Sequence, residues 1–519
     1  MSILYQIKKH WPALILSICI GLVILAPTIL SIEKLGWSQF KGIYPAISDD
    51  EDHYLALTRE VYDGHTSLSN PYIKEYKTGF YTLPPISEII YSRVAKLFNI
   101  SVATEAVVND FFLPIISVLL LYSLLLKITI FSPNQKKISF VLTGLFFLFF
   151  ISSFNRPISP QFNFIFLLLG LNYIWLIATQ KHNTKKIITL NTLLAVTFGV
   201  LVYAYPFYWM TLGIIYTLWT LSIAYIEKDF GYWIKNWLSF FIPAFVFSIP
   251  FIINTLALRS NPLFFETNLR FGFINTHIPG AFYNVGFIFL SIPVAYIIWK
   301  LCKDKKIALF SPVLILSGAI LNWQNVITGQ TLQFPPHFYP VMVLFTFLIT
   351  TVSLSNLEWN GSNKYFKTPK ILFIILAILF IFIFYRHKGE ILYAWNNISS
   401  PIDITSLQKL SGPLEWLEDN TPKDSTIFVL GKHYNWTIPI YTDDNVYFSS
   451  NAGLSVMPDM ELEERWAIQH FFDDIKSSDI AGNREIWANK FIDYYQNKEN
   501  RRKILEFITG KKYPPTVLM

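Results

Sequence analysis

Residues 11–30, WPALILSICIGLVILAPTIL, decide the fold class of this chain. The stretch carries no charged side chain, and about 20 apolar residues are what a helix needs to cross the bilayer core. Ten further apolar runs follow, near residues 111–131, 138–152, 162–179, 187–205, 206–226, 236–257, 282–301, 307–328, 337–354 and 370–385. The sequence therefore predicts an α-helical polytopic membrane protein with about eleven transmembrane helices.

The composition of the whole chain supports this prediction. Of its 519 residues, 53% are hydrophobic, 17% aromatic and only 15% charged, whereas a soluble globular protein carries about 25% charged residues. This composition excludes a soluble enzyme, a disordered chain, a fibrous repeat and a disulfide scaffold. The two cysteines, Cys19 and Cys302, can form neither a zinc site nor a set of bridges, so they say nothing about the redox compartment.

Lysine and arginine residues set the orientation, because short loops that carry them stay on the cytoplasmic side. Lys8 and Lys9 precede the first span, which is long and lacks a signal-peptide cleavage site, so we expect an uncleaved anchor. With the N-terminus inside, the short outer loops hold only Arg156, Arg259 and Arg270. The net charge of +7 therefore reflects topology in the plasma membrane, and no nucleic-acid partner is expected. An odd number of spans places the C-terminal part outside.

Two outer segments are long. Residues 31–110 form a first external loop (the first loop) within a transmembrane domain of residues 1–385, and residues 386–519 form a C-terminal external domain (the tail). The pattern of the tail predicts a mixed α/β fold. We expect a helix at 411–419, β-rich runs at 425–430 and 446–449, and amphipathic helices near 460–476 and 484–508.

Acidic side chains concentrate in the first loop, where the densest group is Ser48-Asp49-Asp50-Glu51-Asp52-His53-Tyr54. At the outer mouth of a bundle, such a group can hold a divalent cation such as Mg²⁺ or Mn²⁺, or deprotonate an attacking hydroxyl. It can also simply cap a helix, since Ser48 and Glu51 match a capping box. Capping leaves four residues unexplained, and these are the candidate metal ligands: Asp49, Asp50, Asp52 and His53.

The residues after His53 predict an amphipathic helix. One stripe of this helix carries Tyr54, Leu57, Thr58 and Val61. We expect the helix to lie on the bilayer surface and to line a groove for the acceptor.

The order Asp50-Glu51-Asp52-His53-Tyr54, directly after an N-terminal span, resembles the start of the first external loop in GT-C glycosyltransferases. That start reads Asp-Glu-x-x-aromatic, and the superfamily includes protein O-mannosyltransferases and lipid A aminoarabinose transferases. Its leading Asp lies at the catalytic centre, so the resemblance implies Asp50 as the first catalytic candidate and Glu51 as the second. Asp49 and Asp52 flank this pair, so the catalytic acid can also lie one or two places away.

The tail resembles the same group of proteins. LEWLEDNTPKDS at 414–425, IPIYT at 438–442 and VYF at 446–448 are similar to the start of the external domain in many bacterial GT-C-like proteins. The resemblance thus covers the first loop, the arrangement of spans and the tail. It implies a GT-C-like membrane fold.

Few other polar residues are expected on the outer face. The candidates for binding a donor phosphate are Arg156, Arg270 and His337. Polar groups at membrane depth usually face a cavity, and arginine offers a fork for phosphoryl oxygens. The alternative for each is a side chain that reaches toward lipid headgroups or pairs within the protein.

The chain has no Walker loop, G-x-G-x-x-G turn, G-x-S-x-G elbow or H-E-x-x-H pair, so a nucleotide-binding half is not supported. A donor presented by the membrane fits this pattern. The sequence therefore favours a glycosyltransferase that moves a hexose or pentose from a polyprenyl-phosphate sugar to a hydroxyl of a glycan, lipid or protein acceptor. The alternative is a non-enzymatic polytopic protein, either a transporter or flippase or a scaffold for envelope assembly.

Overall fold

The computed structural model describes residues 3–44, 49–129, 136–150, 161–180, 184–271, 274–278, 305–330, 339–356, 401–430 and 435–472, with isolated positions that include His337 and 517–518. The described α-helices are α1 (Ile3–Leu35), α2 (Asp49–Asp63), α3 (Ile86–Phe98), α4 (Val102–Ile128), α5 (Lys136–Phe150), α6 (Phe162–Thr179), α7 (Thr184–Val202), α8 (Pro206–Glu227), α9 (Phe230–Arg259), α10 (Phe264–Phe271), α11 (Lys305–Trp323), α12 (Asn325–Thr328), α13 (Tyr339–Asn356), α14 (Pro401–Gln408), α15 (Ser411–Asn420), α16 (Ile438–Tyr441) and α17 (Asp459–Gln469). The described strands are β1 (Ile274–Asn275), β2 (Thr426–Ile427), β3 (Asn445–Val446) and β4 (Val517–Leu518).

Seven of the described helices are long and apolar enough to cross a membrane: α1, α4, α6, α7, α8, α9 and α11. Two shorter apolar helices lie within α5 and α13. These helices coincide with nine of the predicted runs, while the runs at 282–301 and 370–385 lie largely outside the described residues. The prediction of an α-helical polytopic membrane protein is confirmed, and the total of eleven spans stays a prediction.

The spans pack side by side in one bundle. α4 packs against α1 and α6, α7 packs against α6 and α9, and α8 packs against α11. Gly21 lets α1 approach α4 closely, since a Cβ atom at this position would lie 2.6 Å from the carbonyl oxygen of Phe111. Large aromatic side chains fill the interior of the bundle, among them the buried Tyr216, Trp219 and Trp233.

The helix α4 begins earlier than the apolar run at 111–131 predicts. The Ser101 side chain caps it by accepting a hydrogen bond from the Thr104 N–H at 3.1 Å. Its first turns carry acidic residues that lower the hydropathy of the run, yet Glu105 and Asp110 are 2% and 3% exposed. The helix α4 thus extends about two turns into the predicted first loop, where protein surrounds Glu105 and Asp110.

The helices α2 and α3 occupy the first loop. The apolar stripe of α2 is buried, with Leu57, Thr58 and Val61 at 4%, 0% and 1% exposure. It packs against Leu68 and Ile89 of the same loop. The expectation that α2 lies on the bilayer surface is therefore wrong, because the loop folds over the stripe and removes it from lipid.

The tail packs directly on the first loop. Its helix α16 contacts α2, and α14 contacts α1. The N–H of Val446 donates to the carbonyl oxygen of Tyr72 at 3.0 Å. Tyr72, Leu55 and the tail residues Ile440 and Met457 belong to one buried apolar cluster. The first loop and the tail thus share a hydrophobic core.

The described part of the tail is mainly helical. The helix predicted at 411–419 is confirmed as α15, whereas the β-rich runs at 425–430 and 446–449 form strands of only two residues each, β2 and β3, which pair in parallel. α17 covers the first part of the helix predicted at 460–476, and the helix predicted at 484–508 lies largely outside the described residues. β4 pairs antiparallel with β1, which joins the end of the chain to the loop after α10.

Candidate functional site

The acidic stretch lies in the first turn of α2. The described part of this helix begins at Asp49, and the capping box of Ser48 and Glu51 stays a prediction. Acidic side chains are favourable at this end because the helix macrodipole places positive partial charge there. Glu51 and Asp52 are half-buried, whereas the side chains of Asp49 and Asp50 lie outside the described part of the chain. The catalytic role of Asp50 therefore stays a prediction, with its backbone at the start of α2.

The carboxyl groups of Glu51 and Asp52 interact electrostatically with residues from three parts of the chain. Glu51 interacts electrostatically with Asp110 of α4, and both acids interact with Tyr441 of the tail. Burial raises the pKa of Tyr72 in the first loop, and the Asp52 carboxylate adds to this rise. The start of α2 thus lies where the bundle, the first loop and the tail meet.

His53 is buried within this junction, with 4% of its surface exposed. Its Nδ1 lies 3.1 Å from the hydroxyl of Tyr72, and the two rings stack with their centroids 5.8 Å apart. The hydrogen bond engages one ring nitrogen, in a direction that depends on the tautomer. His53 thereby fixes the first turn of α2 to the part of the first loop that contains Tyr72.

Among the described residues, no three His, Cys, Asp or Glu side chains lie close enough together to hold a metal ion. Of the predicted ligands, Asp49 and Asp50 have side chains outside the described residues. The remaining pair does not make a site for Mg²⁺ or Mn²⁺, because such ions prefer oxygen ligands and Tyr72 holds His53. The metal site at Asp49, Asp50, Asp52 and His53 stays a prediction.

Three buried carboxyl groups near this turn escape the motif-based prediction. Glu88 of α3 and Glu105 and Asp110 of α4 are 2%, 2% and 3% exposed, and all three interact electrostatically with Tyr91. Burial raises the pKa of Glu88 to about 7. Asp110 could have been found from the sequence, because an acidic residue inside an apolar helix usually marks a functional position.

Neutral side chains among the described residues donate hydrogen bonds to these carboxyl groups. Ser87 donates its hydroxyl to Glu88 at 2.7 Å, and Asn109 donates its amide to Glu105 at 2.6 Å. Gln161 Nε2 donates to Asp110 at 2.9 Å. Hydrogen bonds from neutral groups offset part of the burial cost. Within the part of the chain that the structure describes, no Lys or Arg forms an ion pair with these three carboxyl groups.

Arg156 lies outside the described residues. The described chain resumes at Gln161, five residues later, and the Gln161 side chain is bonded to Asp110. The loop that contains Arg156 therefore ends beside the carboxyl groups of α4. The role of Arg156 in binding a donor phosphate stays a prediction.

Arg270 is engaged by the tail. Its side chain is 6% exposed, and Nη1 pairs with Asp459. Nε donates to the carbonyl oxygen of Gly453 at 2.7 Å, and Nη2 donates to those of Ser455 and Met457 at 2.9 and 3.0 Å. Protein oxygens occupy the fork that a phosphate would need. Arg270 therefore joins α10 to the tail.

His337 lies beside the start of α8. Its Nδ1 is 2.8 Å from the hydroxyl of Tyr205, and its ring stacks on Phe207 with the centroids 4.7 Å apart. The role of His337 in binding a donor phosphate stays a prediction.

Ion pairs tie the other end of α2 to the tail. Lys77 of the first loop lies 2.7 Å from Glu60 of α2 and 2.7 Å from Asp424 of the tail. Arg59 of α2 lies 2.7 Å from Glu418 of the tail. Burial raises the pKa of Glu60 to about 7, although Lys77 opposes this rise. These contacts join α2 to the tail and to the part of the first loop that contains Lys77.

An apolar cavity of about 360 Å³ lies between α7, α8, α9 and α11. Trp209, near the beginning of α8, and Ile320, near the end of α11, line one side of it. Leu218, more than two turns further along α8, lines it as well. The lining thus follows α8 for more than two turns on an open face of these helices, and it suits a hydrocarbon chain.

The fold is similar to that of solved proteins from two organisms. ArnT from Cupriavidus metallidurans in the apo state is 12% identical over 87% of this chain and 90% of its own, with a TM-score of 0.48. The Archaeoglobus fulgidus oligosaccharyltransferase, in a complex with Zn and sulfate, is 11% identical over 82% of this chain, with a TM-score of 0.41. The same protein, tethered to an acceptor peptide containing the NVT sequon, is 12% identical over 85% of this chain, with a TM-score of 0.42.

This chain spans 62% and 64% of the length of those two archaeal chains. No protein-family profile matches the chain, and no curated protein sequence matches it. At this level of identity the likeness is one of general fold alone. The assignment of a function therefore depends on the residues of this chain.

Proposed function

We propose that this chain is a GT-C-type glycosyltransferase of the plasma membrane. It moves a sugar from a polyprenyl-phosphate donor to an acceptor hydroxyl on the outer face. The observation that carries the proposal is the acidic first turn of α2, which lies beside the buried Asp110 where the bundle, first loop and tail meet. Gathering carboxyl groups at such a buried junction costs stability, so their presence indicates a function.

Asp50 acts as the general base in this proposal. It takes the proton of the acceptor hydroxyl, whose oxygen forms a bond to the anomeric carbon of the donor sugar. The bond between that carbon and the phosphate oxygen breaks, and polyprenyl phosphate leaves with the electron pair. This direct displacement inverts the anomeric centre. Glu51, Asp49 or Asp52 takes the role of base if the register of the motif is shifted.

Arg156 is the residue that we assign to the leaving phosphate. Its guanidinium fork matches two phosphoryl oxygens and stabilises the charge that develops on them. The loop that contains it ends at Gln161, which bonds to Asp110. The phosphate would thus lie near the carboxyl groups of α4 and the start of α2, and His337 is the second candidate for contacting it.

The hydrocarbon chain of the donor is assigned to the apolar cavity between α7, α8, α9 and α11. The cavity has the apolar lining that an isoprenoid needs, and Trp209 and Ile320 in its lining lie near helix ends that the predicted topology places toward the outer face. Each buried methylene group stabilises the bound donor by about 0.8 kcal/mol. The lipid part therefore supplies affinity, while the chemistry takes place at the first loop.

A transfer assay with the purified full-length protein tests the proposal. A panel of polyprenyl-phosphate hexoses and pentoses is offered beside nucleotide sugars, and release of polyprenyl phosphate is measured. We expect at least one lipid-linked sugar to be consumed and no nucleotide sugar to be used. Consumption of a nucleotide sugar alone, or of no donor by well-folded protein, would contradict the proposal.

A further inference from the structure

Residues 41–44 (the approach segment) lie between α1 and the first turn of α2, Asp49–Asp52 (the acidic turn). The approach segment has no regular secondary structure. Ile43 in this segment is 2% exposed. Buried backbone groups outside helices and strands need other hydrogen-bond partners. In this segment the partners are side chains of the tail.

Gln408, at the end of α14, binds the approach segment on both of its hydrogen-bonding groups. The N–H of Lys41 donates to Gln408 Oε1 at 2.7 Å, and Gln408 Nε2 donates to the carbonyl oxygen of Ile43 at 2.7 Å. Ser411, at the start of α15, adds a longer hydrogen bond of 3.4 Å to the carbonyl oxygen of Lys41. The Gln408 amide thus takes the place of a neighbouring strand.

Tyr441 of α16 binds the last residue of the approach segment. The N–H of Tyr44 donates to the Tyr441 hydroxyl oxygen at 3.0 Å. The same hydroxyl lies within the electrostatic reach of Glu51 and Asp52. Tyr441 therefore contacts Tyr44, which residues 45–48 separate from the acidic turn, and interacts electrostatically with the turn itself.

The tail also reaches the far side of the acidic turn. His53 is held by the hydroxyl of Tyr72. The carbonyl oxygen of Tyr72 accepts a hydrogen bond from the N–H of Val446, in the tail. Asn451 of the tail bonds to the Tyr72 side chain as well. Contacts that end in the tail thus lie on both sides of the acidic turn, at Tyr44 and, through Tyr72, at His53.

We propose that the tail sets the position of the acidic turn, with Gln408 and Tyr441 as positioning residues for the transfer reaction. The catalytic part of this inference rests on the proposed function. Neither residue needs to touch substrate, because each acts through the backbone of the approach segment. A base misplaced by a fraction of an ångström loses rate while the donor, bound elsewhere, keeps its affinity. The tail is therefore a component of the active site and not only an appended domain.

The experiment uses the full-length protein in detergent and two variants that remove hydrogen bonds with little loss of volume, Tyr441→Phe and Gln408→Leu. The matched control is Tyr447→Phe, since the ring of Tyr447 contacts Phe428 and Arg465 of the tail and not the approach segment. Amide hydrogen exchange is followed in peptides that cover residues 41–44, and kcat and donor KM are measured for each protein.

We expect both variants to exchange the amides of the approach segment at least about 5-fold faster than wild type, because each loses a protecting hydrogen bond. We expect kcat to fall about 10-fold with donor KM within about 2-fold of wild type. The Tyr447→Phe control should match wild type in both readouts. A purely structural role would instead leave kcat unchanged in the folded variant.

Unchanged exchange in both variants would overturn the inference, because the tail would then not hold the segment. Faster exchange with wild-type kcat would overturn the positioning role. A wild-type protein that transfers no sugar would contradict the proposed function, and the hold of the tail on the turn would then be decided by the exchange rates alone.

Discussion

The acidic groups near the two ends of α2 differ in their ion-pair and hydrogen-bond partners. At its far end, Glu60 has Lys77 at 2.7 Å, and Lys77 also reaches Asp424 of the tail. Near its start, the buried carboxyl groups of Glu105 and Asp110 accept hydrogen bonds from neutral amides. Both regions are buried, so the difference lies in the partners and not in access to solvent.

The difference in partners indicates that the acidic groups at the two ends of α2 have different roles. A buried ion pair fixes two elements to each other, and breaking it strands a charge. Burial raises the pKa of Glu60 and of Glu88, but at Glu60 the Lys77 cation opposes the rise, whereas at Glu88 hydrogen bonds from neutral groups oppose it. The far end of α2 therefore anchors the tail, whereas the carboxyl groups near its start are held by neutral groups within the described residues.

The largest effect is expected at the start of α2. Asp50→Asn keeps the shape of the side chain and removes its charge, so we expect transfer activity to fall at least ~100-fold, as when a general base is lost. Glu60→Gln, on the same helix, is the matched control and should stay within about 3-fold of wild type. Full activity of Asp50→Asn with inactive Asp49→Asn or Asp52→Asn would show that the motif register is shifted.

The second effect is one of stability at the far end. Lys77→Met leaves Glu60 and Asp424 without their shared cation, so we expect the protein to lose about 2 kcal/mol, less than a fully buried pair because Glu60 can take up a proton. Asp110→Asn should leave the melting temperature unchanged or higher, since Gln161 can donate to an amide oxygen as well. Thermal unfolding in detergent compares the two variants. Equal destabilisation would remove the contrast between the two regions.

The third effect concerns the donor. Arg156→Lys keeps the charge and loses the bidentate fork, so we expect donor affinity to fall about 10-fold while expression and membrane insertion stay normal. Arg156→Ala should lose more. If lysine binds the donor as well as arginine does, Arg156 only reaches toward lipid headgroups, and a phosphate role for it is refuted.

The smallest effect is a pH dependence of stability. The pKa of Glu60 rises from 4.5 to about 7 in the folded protein. Between these values the folded protein holds more protons than the unfolded chain, so the contribution of Glu60 to stability falls as pH rises from 4.5 to 7. The melting temperature of wild type relative to Glu60→Gln should therefore decrease over this window. A difference that is constant or increases with pH would show that Glu60 is ionised throughout.

The spans were predictable from sequence because apolar length alone decides whether a helix can cross the bilayer. The same rule did not include the first two turns of α4, where Glu105 and Asp110 lower the hydropathy yet are buried. The amphipathic pattern of α2 led to a surface position, whereas its apolar stripe packs on other residues of the first loop. Amphipathic periodicity identifies a buried face and does not say whether lipid or protein covers it.

The candidate site was predictable only in part. Asp50 and Glu51 follow from a local motif, which lies in the first described turn of α2. The contacts of Gln408 and Tyr441 with residues 41–44 join positions far apart in the chain, so no local pattern reveals them. Arg270 was a candidate for binding phosphate in the sequence, because no local pattern reveals that its partners lie in the tail.

The central claim is that one sugar is transferred for each polyprenyl phosphate released. The most direct measurement counts both products in one reaction, with purified wild-type protein, a consumed lipid-linked sugar and excess acceptor. The account predicts a ratio of about 1:1, together with inversion at the anomeric carbon, because one displacement forms one bond and breaks another. Release of polyprenyl phosphate without a glycosylated acceptor, or movement of an intact donor without release, would contradict it.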